Sequence, residues 1–170
     1  MSSEPECLGD IFLMTTVRGK VLEFHRAMDV SILPFPQVPS EERVRLRLRL
    51  ITEEFFEAIE SVLPPRVPGM WRLMKSLIRD YINLTPVKVD MPNFARELTD
   101  LDYVVEGTRQ EFGIDGGPVL EEVHAANMRK LGGPIRADGK RLKPPGWKPP
   151  DIDAVLRKQG WTNVIPLERR

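Results

Sequence analysis

Prolines and glycines leave this chain little choice but to fold as a series of separate helices. They gather at Pro34, Pro36 and Pro39, at Pro64, Pro65 and Pro68, at Pro86 and Pro92, and then at Gly113 and Gly132-Gly133. Between these points the apolar residues recur every three or four positions, the spacing of one helix face. A proline within a helix removes a hydrogen bond and clashes with the preceding turn, so each cluster is read as an end. The predicted helices run from about Ile11 to Met28, Ser40 to Leu63, Met70 to Leu84, about Asp90 to Gly113, and Asp115 to about Leu131. Ser40 before Glu41-Glu42 has the character of an N-cap, and Trp71, Met74, Leu77, Ile78 and Tyr81 form the apolar side of the third helix. Phe94, Leu98, Leu101 and Phe112 are the expected core face of the fourth.

Beyond Gly133 the run Lys143-Pro144-Pro145-Gly146-Trp147-Lys148-Pro149-Pro150 excludes helix and central strand, although a short helix can start at Asp151. With no β-rich segment and no repeat, the expected architecture is an all-α bundle. It is one domain over residues 1–170, with a flexible N-terminus at 1–10 and a Pro/Gly-rich C-terminal tail at 133–170. The helix from Ser40 to Leu63 carries apolar residues on several faces and asks for burial all round. Five helices in a monomer supply too little cover for that, so homodimerisation is expected to complete the bundle.

Lys plus Arg and Asp plus Glu stand at 25 each, which removes any global pull toward nucleic acid or an acidic membrane. Binding of a polyanion must then be local. The single cysteine, Cys7, excludes an internal disulfide and a thiolate zinc site and fits a reducing compartment, so a cytoplasmic location is expected. No run approaches the ~20 apolar residues of a membrane span, and the N-terminus lacks the pattern of a secretory signal.

Two acidic clusters carry the chemistry: Glu53-Glu54-Phe55-Phe56-Glu57 and Glu97-Leu98-Thr99-Asp100. In each, two carboxylates stand three residues apart, Glu54 with Glu57 and Glu97 with Asp100, and project from one helix face about one turn apart. Four hard anionic oxygen donors of this kind suit Mg²⁺ or Mn²⁺, with coordination positions left for water and phosphates. Glu53, Glu54 and Glu57 also share an arc with Leu46 and Leu50, where carboxylates are costly unless something positive compensates them. A metal ion serves, and so would Arg43, Arg47 or an arginine from a partner.

The order of motifs is Phe24-His25, a proline joint, Arg47-x-x-Leu50-Ile51-x-Glu53-Glu54-x-x-Glu57, Glu97-x-x-Asp100, and His124-Ala-Ala-Asn127-Met128-x-Lys130. It resembles the all-α nucleoside triphosphate pyrophosphohydrolases, in particular their MazG-like, phosphoribosyl-ATP-pyrophosphohydrolase-like branch. The tail, with Asp138-Gly139-Lys140 and Lys143-Pro144-x-Gly146-Trp147, fits the same pattern. The distance from Glu57 to Glu97 exceeds the usual family gap, and the Pro64 to Asp90 segment with its extra helix accounts for the excess.

The resemblance implies Mg²⁺-dependent cleavage between the α and β phosphates of a nucleoside triphosphate, giving the monophosphate and pyrophosphate. The expected substrate is a (d)NTP such as dUTP or a non-canonical nucleotide, in a housecleaning role. It further implies Glu54, Glu57, Glu97 and Asp100 as metal ligands and Glu53 as the catalytic carboxylate that orients or deprotonates water. Asn127, Lys130, Lys140, Lys143 and His25 are the expected substrate-binding residues. Two other readings stand beside this one: phosphoribosyl-ATP hydrolysis with the same carboxylates, and a catalytically silent helical dimer that binds nucleotides or a protein. Glu121 and His124 have the Glu-x-x-His spacing of di-iron bundles, but that fold needs two such pairs and the chain has one.

Overall fold

The computed structural model describes residues 15–63, 67–137 and 140–162. Six helices occupy them: α1 (Val17–Ala27), α2 (Glu41–Val62), α3 (Met70–Leu84), α4 (Met91–Glu111), α5 (Gly116–Met128) and α6 (Ile152–Lys158). The only pairing of extended chain among the described residues is an isolated antiparallel bridge between Ile135 and Arg141. The all-α expectation holds. The expectations for residues 1–10, Cys7 included, lie outside the described residues.

Short polar side chains set the helix starts, as their N-cap chemistry dictates. Ser40 Oγ accepts from Arg43 N–H, Asp90 from Asn93 N–H, Asp115 from Gly117 N–H, and Asp151 from Ala154 N–H. Gly113, at φ 66°, takes the left-handed conformation that ends α4. The described residues form two compact units: 33–63 and 67–96 with 137, and 15–32, 97–136 and 140–162.

In the first of these units α2 and α3 form an antiparallel hairpin whose register is fixed mainly by polar contacts. The Arg45 guanidinium donates to the carbonyls of Ile82 and, at 3.0 Å, Thr85, which lie at the C-terminal end of α3. Arg49 donates to Asn83 Oδ1 at 2.8 Å. At the other end Lys75 pairs with Glu60 at 3.0 Å, and the Phe56 ring, 1% exposed, meets the Trp71 ring edge-on at 5.8 Å between centroids. Of the apolar side expected to pack α3, Trp71 turns inward onto Phe56, while Met74 is 39% exposed, Leu77 60%, Ile78 36% and Tyr81 70%; Leu73 and Leu84, outside that set, are open as well. The expected core face of α4 is likewise open at Leu98, Leu101 and Phe112.

In the other unit α5 is the central element. On one side α1 lies alongside it, with Lys20 on Glu121 at 2.8 Å and Glu23 on His124 Nε2 at 3.1 Å. The Glu-x-x-His spacing thus serves helix packing, each residue of the motif engaging a different turn of α1. On another side the tail runs back along α5. Trp147 Nε1 donates to the Ala126 carbonyl at 2.8 Å, Asp151 N–H to Glu122 at 3.1 Å, and Gln159 exchanges two bonds with the Asp115 backbone. The tail begins at Gly133, where a Cβ would sit 2.1 Å from the Leu142 carbonyl oxygen; only glycine permits that approach.

Two stability measurements follow from this packing. Phe56→Ala is expected to cost about 3–5 kcal/mol in chemical unfolding, since among the described residues its ring is the one fully buried large side chain. Gly133→Ala is expected to cost about 1–3 kcal/mol by forcing the Leu142 carbonyl aside, and to speed hydrogen exchange in residues 142–159 while sparing the α2–α3 hairpin.

Candidate functional site

The α2 face turned toward α3 carries Arg49, Glu53, Phe56 and Glu60 at helical steps, and α3 answers with Trp71, Arg72, Lys75 and Arg79. Together they line a half-open groove of about 940 Å³, within the size range of small-ligand sites. Glu53 thus lines a concave surface. Glu54 and Glu57 lie on an adjacent exposed strip of α2, and neither makes a hydrogen bond or ion pair among the described residues.

Arg43 and Arg47 were the candidates within the chain to neutralise these acids. The Arg47 guanidinium is desolvated although the residue as a whole is exposed. That burial, and then the neighbouring Arg43 cation, hold its pKa below the ordinary arginine value. Neither cause is a carboxylate.

Glu97 and Asp100 are exposed one turn apart on α4. Within each unit, no three His, Cys, Asp or Glu side chains among the described residues gather as ligands of one ion. The acids come as pairs. Each pair has the donor chemistry of a hard divalent ion, supplying two oxygens and leaving the remaining positions to other donors.

Asn127 lies in the last turn of α5, and Lys130, expected on the same helix, lies in the turn just beyond its end at Met128. The Lys130 ammonium donates to Asn127 Oδ1 at 2.7 Å, so amide and cation are already joined and present one polar unit with the Asn127 amide nitrogen facing away from that bond. Lys143 rests over the Trp147 ring at 4.3 Å, held by a cation–π contact on the segment that α5 anchors. Lys140 contributes its carbonyl to the Arg136 N–H in the turn that precedes it. His25 is half-buried at the end of α1 beside the Phe24 ring, and its carbonyl accepts from Val30 N–H at 2.8 Å.

The phosphoribosyl-ATP pyrophosphohydrolase family model matches residues 21–127, from within α1 to the end of α5. The chain belongs to this family. Its pyrophosphohydrolases are hydrolases acting on phosphoric anhydrides, and both acidic pairs, Glu53, His25 and Asn127 fall within the matched stretch. Lys130, Lys140 and Lys143 lie beyond it. No curated protein matches the chain. No helix among the described residues is long and apolar enough to cross a membrane.

The residues missed by sequence reasoning are Arg49, Arg72, Lys75 and Arg79. Their signal was present as basic residues at positions 72, 75 and 79, spaced i, i+3 and i+7, yet attention to the apolar side of that helix passed over it.

Proposed function

We propose that the chain is a Mg²⁺-dependent nucleotide pyrophosphatase that cleaves between the α and β phosphates and releases pyrophosphate. The observation that carries this reading is the family match over residues 21–127 together with two carboxylate pairs at helical i, i+3 spacing inside it. The proposed ligands are Glu54, Glu57, Glu97 and Asp100. A bound Mg²⁺, or Mn²⁺, would neutralise phosphate charge and acidify water.

Glu53 is the proposed base. It takes the proton of the attacking water as the water oxygen bonds to the α phosphorus; the bond from that phosphorus to the α–β bridging oxygen breaks, and its electron pair leaves with pyrophosphate. Proton transfer of this kind typically contributes ~10²–10⁴-fold. The Asn127–Lys130 unit, Lys140, Lys143 and His25 are proposed to contact sugar, base or phosphates. A (d)NTP such as dUTP, a non-canonical nucleotide and phosphoribosyl-ATP all present the same anhydride, and the family description favours none of them over the others. The proposed setting is the cytoplasm.

A second copy of the chain is proposed to cover the outward stripe of Leu73, Leu77, Tyr81 and Leu84. These residues are spaced by one helical turn and expose a contiguous apolar strip of the kind that marks an interface. Sedimentation equilibrium is expected to give a dimer or a higher homo-oligomer, with Leu77→Glu shifting the mass toward the monomer. A monomer at micromolar concentration would sink this part of the reading.

The activity is tested by pyrophosphate release from a panel of NTPs, dNTPs, modified nucleotides and phosphoribosyl-ATP, with Mg²⁺, with Mn²⁺ and with EDTA. One member is expected to turn over with metal only. Glu54→Gln and Glu97→Gln are each expected to lower kcat at least ~10²-fold with helicity unchanged. Silence across the panel, with no metal binding by calorimetry, would leave a helical binding module instead.

A further inference from the structure

The groove between α2 and α3 is lined by four cations, Arg49, Arg72, Lys75 and Arg79, against two carboxylates, Glu53 and Glu60. One of those carboxylates is already neutralised, since Glu60 pairs with Lys75. The two arginines of α3 are not used to hold the hairpin. Among the described residues Arg79 reaches only Ser76 and, at 3.8 Å, Asp80, both on its own helix. Arg72 makes no ion pair among the described residues.

The groove therefore combines surplus positive charge with two planar guanidinium donors suited to paired phosphate oxygens. That chemistry calls for an anion rich in acceptors. Because Glu53 lines the same groove, such an anion would lie beside the carboxylate proposed to activate water.

We propose that this groove is the pyrophosphate site: Arg72 and Arg79 hold the β and γ phosphates of the nucleotide and retain them as the leaving group. The proposal rests on the pyrophosphatase reading above and gives α3, the helix that lengthens the chain between its two acidic motifs, a role in it. Both arginines project from the exposed side of the groove, so replacing them leaves the hairpin contacts of Arg45, Phe56 and Lys75 in place.

The test uses the full chain and inorganic pyrophosphate as the probe, by calorimetry with and without Mg²⁺ and as a product inhibitor of whichever nucleotide is hydrolysed. Arg72→Gln and Arg79→Gln are each expected to weaken pyrophosphate binding about tenfold and to raise KM by a similar factor, with unchanged far-UV circular dichroism. Arg18→Gln, the loss of an exposed cation on α1, is expected to behave as wild type.

Equal weakening by Arg18→Gln would reduce the effect to overall charge and overturn the site. So would unchanged binding in the Arg72→Gln/Arg79→Gln double variant, or no binding to wild type at all; turnover by wild type in those cases would leave the hydrolase reading standing. Pyrophosphate binding that the double variant loses, in a protein that turns over no nucleotide, would instead support the groove and reject the hydrolysis.

Discussion

The α2–α3 hairpin depends on Arg45. Its guanidinium reaches the carbonyls of Ile82 and Thr85, the open end of a helix that has no glycine cap and no basic residue in its last turn. Helix ends leave carbonyls without internal partners, and a cation there satisfies them and opposes the helix dipole. With that contact at one end and Phe56 against Trp71 at the other, α3 is clamped with its basic stripe toward α2. Everything in the groove follows from this rotation.

The same clamp decides where the apolar residues of α3 go. A helix with one apolar stripe ordinarily turns it inward. Here the inward side carries Trp71, Lys75 and Ser76, while Leu73, Leu77, Tyr81 and Leu84 face out. The hairpin forgoes apolar burial within itself for polar registry, so its outer surface is left to other cover.

Much of the fold was legible in the sequence because its punctuation is local. Ser40, Asp115 and Asp151 cap the helices that follow them, the prolines at 34, 36 and 39 lie in a joint, and Gly113 ends a helix through a positive φ; each effect is settled within a few residues. Helix orientation was not legible, since periodicity identifies an apolar face without saying what covers it. The sequence places Leu46 and Leu50 on the arc of Glu53, Glu54 and Glu57, and the buried residues of α2 are Leu46 and Phe56, on the face shared with Arg49 and Glu53. Within the site, the acidic pairs could be read from i, i+3 spacing alone. The groove could not, because its cations come from two helices and acquire meaning only when Arg45 sets their register. The tail shows the same limit: Lys143 and Trp147 were legible as a cation and an aromatic, but their stacking depends on Trp147 bonding to a carbonyl of α5.

Arg45 also bears on whether α3 could be removed. A helix that merely lengthened a loop could be cut out again with little effect on its neighbours. This one could not, because without it a guanidinium on α2 loses both backbone carbonyls it serves and the ring of Phe56 loses its aromatic neighbour. Deleting α3 would therefore call for compensating changes in α2 as well.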